Sequence, residues 1–256
     1  MSSLPVFLVS FLLVFARVSA IVLLVPFIGS RDVPWHTKAG LVFFLSLLAF
    51  PMVVDSAVPA SFGGLIMGTT AEVVTGCLIG FVVRLVFIAV NLAGEFMGYQ
   101  LGFAIANVLD PTSSEQVSII AQFEQFLAFL IFLVINGHYM LVAALYKSFQ
   151  VVPLGRFIFS GVVAKGLISA SAQVFAVGLK LAAPVVVTLT VTNIAMAVIS
   201  KTMPQINVYF LGFPVQIGLG FIVMGVSLPV FYWVFKSAID GMMKGIFAII
   251  TLVGGV

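Results

Sequence analysis

Residues 64–103 read GLIMGTTAEVVTGCLIGFVVRLVFIAVNLAGEFMGYQLGF. The stretch holds no proline, and its charges are Glu72, Arg84 and Glu95. As one helix it is about 60 Å long, twice the hydrocarbon thickness of a bilayer. Tilt absorbs a small mismatch but not a factor of two. Two readings follow. The helix breaks near its glycine-rich end, or it projects beyond the bilayer and is covered there by other protein.

The rest of the chain has the same character. Of 256 residues, 62% are hydrophobic and 7% are charged. A soluble domain runs at about 45–50% apolar and about 25% charged. So few charges cannot coat a soluble surface, which excludes an ordinary soluble enzyme, a disordered chain and a coiled coil. The fold class is all-α: a polytopic, membrane-associated helical protein. At about 20 residues per span the length allows roughly six to eight crossings. Further apolar runs cover residues 4–28, 39–54, 119–135, 139–152, 162–201 and 206–235. No positive residue precedes the first run, so the first helix is expected to be kept and not cleaved.

Several functions are excluded by what is missing. The net charge of +3 is scattered, with no basic run, so nucleic acid is not a partner. The one cysteine, Cys77, excludes a disulfide framework and a Cys-based zinc site. His36 and His138 are far apart, and no HExxH, P-loop or GxSxG occurs. No catalytic residue, metal or cofactor is expected.

The charges that do occur are informative. Arg17, Glu72, Arg84, Glu95, Glu124 and Lys180 all stand inside apolar runs. At mid-bilayer each costs about 2.5–3.5 kcal/mol. They are expected to pair across helices or to face a polar pathway. Glu72 and Arg84 would be about 18 Å apart on one helix, too far to pair with each other. Residues 119–135 and 139–152 can be counted as two legs of a hairpin. Arg156, Lys165, Lys236 and Lys244 then fall on the cytoplasmic side, with the C-terminal tail. The pairs Gly64/Gly68, Gly76/Gly80, Gly94/Gly98, Gly98/Gly102 and Gly241/Gly245 have GxxxG spacing, which lets helix backbones approach closely.

Residues 98–155 are the most specific stretch: GYQLGFAIANVLDPTSSEQVSIIAQFEQFLAFLIFLVINGHYMLVAALYKSFQVVPLG. Asp110-Pro111 suits a type I turn. Thr112 and Ser113, three residues before Glu115 and Gln116, have capping-box spacing and mark a helix start. The stretch resembles the FliR/SctT family of type III secretion export-gate proteins, flagellar and virulence-associated respectively. The resemblance rests on Gln100-Leu101-Gly102-Phe103 through Asp110-Pro111, on Asn136-Gly137-His138, on Ser148-Phe149 and on Pro153-Leu154-Gly155. At the N-terminus, residues 15–41, FARVSAIVLLVPFIGSRDVPWHTKAGL, resemble the family's opening helix and first loop. Farther along, Pro184, Gln205-Ile206-Asn207 and Pro214 resemble the layout of the hairpin protein FliQ.

The resemblance implies two parts. Residues 1–165 are a FliP-like helical part carrying a plug loop, residues 104–117. Residues 166–256 are a FliQ-like helical hairpin turning at Pro204, Gln205 and Asn207, with a cytoplasmic C-terminal tail. It implies a channel subunit that forms, with FliP and FliQ, the conduit for unfolded export substrates. FlhB is implied as a partner at the tail, and membrane lipid around the assembly. The implied place is the bacterial inner membrane at the flagellar basal body, with part of the assembly on the periplasmic side. The implied plug is Ile105, Asn107, Val108, Leu109, Asp110 and Pro111, with Gly98 and Gly102 as its hinge. Residues 205–218, QINVYFLGFPVQIG, favour the flagellar member; a virulence injectisome subunit is the alternative. A small-molecule or ion transporter is a more distant one. It predicts inverted repeats, and the two halves differ in loop length and charge. An intramembrane enzyme needs a nucleophile–base pair or a metal cluster, and the acidic residues are scattered one per segment.

Overall fold

The computed structural model describes residues 3–30, 32–53, 61–103, 118–157, 161–203 and 208–254. Among them every regular element is a helix. These are α1 (Ser3–Leu24), α2 (Trp35–Ala49) with a 3-10 turn (Phe50–Met52), α3 (Phe62–Gln100), α4 (Ile119–Val134), α5 (Gly137–Val151), α6 (Gly161–Thr202), α7 (Val208–Val226) and α8 (Leu228–Gly254). Helices dominate because each apolar run is long, and proline or glycine marks its ends or first turns. Hydroxyls inside the runs fold back on their own helix. Ser10 Oγ donates to Val6 O at 3.0 Å, Ser46 Oγ to Val42 O at 2.7 Å and Thr75 Oγ1 to Ala71 O at 2.8 Å. A polar side chain satisfied this way can sit in apolar surroundings.

Helix α3 resolves the first question. It is unbroken over 39 residues, about 58 Å. It ends at Gln100 because Gly102 takes φ +85°. There Gly102 N donates to Tyr99 O at 3.1 Å and Phe103 N to Gly98 O at 3.1 Å. That pair of bonds is a Schellman cap, with glycine at the left-handed position.

Other breaks have equally local causes. Asn136 separates α4 from α5 at φ 59°, a conformation asparagine tolerates better than most residues. The two expected hairpin legs, residues 119–135 and 139–152, are thus both helical and part at Asn136. Pro184 lies inside α6, and Thr188 Oγ1 donates to its carbonyl at 2.7 Å. Helix α8 continues through the segment expected to be a tail. Its Ile239, Met242, Met243, Ile246, Ile249, Ile250 and Val253 are buried on a helical repeat.

Among the described residues, five helices or near-continuous pairs are long and apolar enough to cross a membrane, or six if α4 and α5 are counted as one span. The chain forms two compact units. One comprises Met1–Val86, Asn136–Ala172 and Ile239–Val256; the other comprises Phe87–Ile135 and Gln173–Ala238. Many exposed side chains are large and apolar, including Phe44, Leu48, Ile168, Val191 and Ile194. Lipid or other protein must cover such a surface.

Candidate functional site

The second unit contains the two ends of the segment 104–117. On the near side, α3 finishes in the Gly102 cap. On the far side, α4 starts at Ile119 with Ser118 as its cap, and Ser118 Oγ accepts from Ala121 N at 3.3 Å. Glycines on α3 bring the ends together. A Cβ on Gly98 would lie 2.5 Å from Ser118 Oγ, and one on Gly94 would overlap the backbone of Ala121. Only glycine at both positions lets the start of α4 rest on the last turns of α3.

The same point is anchored on α6 and α7. Leu101 is fully buried against Leu189 and Gly220, and a Cβ on Gly220 would collide with it. A Cβ on Gly102 would lie 2.7 Å from the Phe213 ring. Gln100 Nε2 donates to Thr190 Oγ1 at 2.8 Å. Gln216 Nε2 donates to Asn193 Oδ1, tying α7 to α6. Elsewhere in this unit, Phe87 packs edge-on against Phe132 at 5.7 Å and Phe235 at 5.9 Å. The result is a packed base at both ends of residues 104–117.

The expected site residues distribute as follows. Ile105, Asn107, Val108, Leu109, Asp110 and Pro111 lie outside the described residues, as do the Thr112–Gln116 cap and Pro204, Gln205 and Asn207. Gly102 terminates α3 in the left-handed conformation. Gly98 is helical, and its missing side chain makes room for Ser118. No sequence signal marked Leu101, Gly220, Asn193 and Gln216 as anchors, although Leu101 and Gln216 fall in motifs read above, since each acts through a partner on another helix. The Ser118 cap did carry one: a serine directly before the apolar run IIAQF.

The charges separate into three groups. Arg17 and Glu72 are fully buried in the first unit. Arg17 Nε meets Glu72 Oε2 at 2.5 Å, and Nη2 meets Oε1 at 3.1 Å. Arg17 also donates to Ser148 O at 2.9 Å and Val152 O at 3.1 Å, two carbonyls at the end of α5. The guanidinium lies 4.4 Å from the Phe149 ring centre. Glu72 Oε1 accepts from Gly155 N at 2.8 Å. Gly76 and Gly80 allow the approach, since a Cβ on either would press into α1 at Arg17 or Leu24. Glu124 forms the second group. It is buried on the inner face of α4 between Ala121 and Ala128, and its Oε2 has no hydrogen-bond partner among the described residues. The third group is Arg84 and Lys180, both exposed, and half-buried Glu95. These have no ion-pair partner among the described residues. No cluster of three His, Cys, Asp or Glu that could hold a metal occurs among the described residues.

A sequence model of the family described as bacterial export proteins, family 1, matches residues 8–242. The chain belongs to this family. The flagellar biosynthetic protein FliR of Bacillus subtilis strain 168 is 30% identical over 252 residues, 96% of this chain and 96% of the relative. FliR of Escherichia coli K12 is 30% identical over 214 residues, 83% and 82% of the two chains. FliR of Aquifex aeolicus is 28% identical over 224 residues, 87% and 86% of the two chains. The resemblance read at residues 98–155 therefore holds for nearly the whole chain. This export family member is a membrane-embedded structural component and not an enzyme.

Proposed function

We propose that the chain is a channel subunit of the flagellar type III export gate, with residues 104–117 as a plug across the conduit. The observation that carries the proposal is the packed base. The segment leaves through Gln100–Phe103 and returns at Ser118, and both points are packed on α6 or α3. A segment with fixed ends and an apolar middle, Ile105, Val108 and Leu109, can block water and ions by dewetting. The plug then swings on Gly102, while Gly98 holds the return point.

The proposal extends to the assembly. Residues 1–165 act as the FliP-like part and residues 166–256 as the FliQ-like hairpin. The succession of α6 with α7 and α8 supports this partition. FliP and FliQ subunits cover part of the exposed apolar surface and membrane lipid the rest, and FlhB contacts the end of the chain. The complex sits in the bacterial inner membrane and extends to its periplasmic side. The flagellar names of the relatives favour a flagellar over a virulence system.

Conductance of the reconstituted complex tests the plug. Deleting residues 105–113 is expected to make the membrane leaky to ions. Unchanged conductance overturns the proposal.

A further inference from the structure

Helix α6 has 42 residues and is about 63 Å long, so a bilayer core of about 30 Å covers only half of it. The half without charge is residues 181–200, about 30 Å, bracketed by Lys180 and Lys201. A membrane seated on this half puts Lys180 at one headgroup level and Lys201 at the other. Lys180 is also at the mouth of a groove. The groove has a volume of about 580 Å³ and runs along Pro184 and Val187 on one side and Val223, Val226 and Val230 on the other. Its two hydroxyls are already used on their own helices, Thr188 Oγ1 on Pro184 O and Ser227 Oγ on Met224 O. The groove thus combines aliphatic walls with one exposed ammonium that has no ion-pair partner among the described residues.

From this arrangement we infer that the groove binds an anionic phospholipid, with one acyl chain between α6 and the α7–α8 junction and its phosphate on Lys180. A flexible acyl chain can follow the aliphatic walls of Val187, Val223, Val226 and Val230 while its headgroup stays at Lys180. A zwitterionic headgroup brings its own ammonium beside Lys180, whereas an anionic one leaves the lysine as its counter-charge. The site does not depend on the plug or on export.

Native mass spectrometry of the full chain, in the complex with which it co-purifies, tests the site. The detergent phase carries equal phosphatidylglycerol and phosphatidylcholine. Retained phosphatidylglycerol is expected to exceed phosphatidylcholine by about fivefold. Lys180→Ala should abolish that preference, Lys180→Arg should keep it, and Val226→Trp, which fills the groove, should remove the retained lipid itself. Equal retention of the two lipids, or a preference that survives Lys180→Ala, overturns the inference. A photo-crosslinker at Val187 that captures a neighbouring subunit in place of lipid overturns it too.

Discussion

Arg17 and Glu72 form a bidentate ion pair with no solvent contact on either side chain. The pair does more than neutralise two charges. Arg17 also caps the last carbonyls of α5, where the helix dipole is negative, and Glu72 holds the turn after it. Removing one partner leaves the other buried and uncompensated, at a cost of about 3–5 kcal/mol. Arg17→Met and Glu72→Leu are each expected to reduce the assembled complex sharply in membrane extracts. The double substitution is expected to recover part of the loss, because it leaves no orphan charge. Chemical melts of the purified variants check this ordering.

Glycines that look alike in sequence should behave differently. Gly102→Ala strains a residue at φ +85° and drives a Cβ against Phe213, so a loss of about 1–2 kcal/mol is expected. Gly94→Ala meets the Ala121 backbone, which cannot give way, and should cost at least as much. Gly241→Ala meets nothing within 4 Å and should gain about 0.5–1 kcal/mol from reduced backbone freedom. Thermal melts of the three variants in detergent measure the differences.

These contrasts explain what was legible in advance. Helix existence was readable because apolar runs ended at proline or glycine, both local signals. Gly102 was readable as a special position for the same reason. The partner of Arg17 was not, because Glu72 is 55 residues away on another helix. GxxxG spacing announced close packing but not which pairs would use it. Gly76 and Gly80 press on α1, while Gly241 and Gly245 face open space. The break at Asn136 was visible because Asn136-Gly137 is a local signal. The buried face of α8 was missed because its three charges suggested a solvated tail. Lys236, Asp240 and Lys244 instead occupy the side away from Ile239, Met242 and Ile246.

The anchor of the proposed plug has its own paired test. Gly220→Val forces Leu101 out of its pocket, whereas Gly218→Val enters open space two residues away. If the base sets the position of residues 104–117, Gly220→Val should raise ion leakage through the reconstituted complex. Gly218→Val should leave leakage near the wild-type level. Equal leakage in both variants would separate the base from gating.

Glu124 poses a different problem. It is buried on α4, and one carboxylate oxygen has no hydrogen-bond partner among the described residues. An unsatisfied buried polar group costs about 1–3 kcal/mol. Glu124→Leu has a similar volume and removes that cost, so its melting temperature should rise or hold. A residue that lowers stability and sits inside an apolar helix is a candidate for work elsewhere in the protein's cycle. The expected pairing is therefore higher stability with weaker export, read as reduced filament length in cells carrying the variant. Glu124→Gln keeps the shape and the hydrogen-bonding capacity but never the charge. If charge is what export uses, Gln should fail as Leu does; if polarity suffices, Gln should restore the filaments.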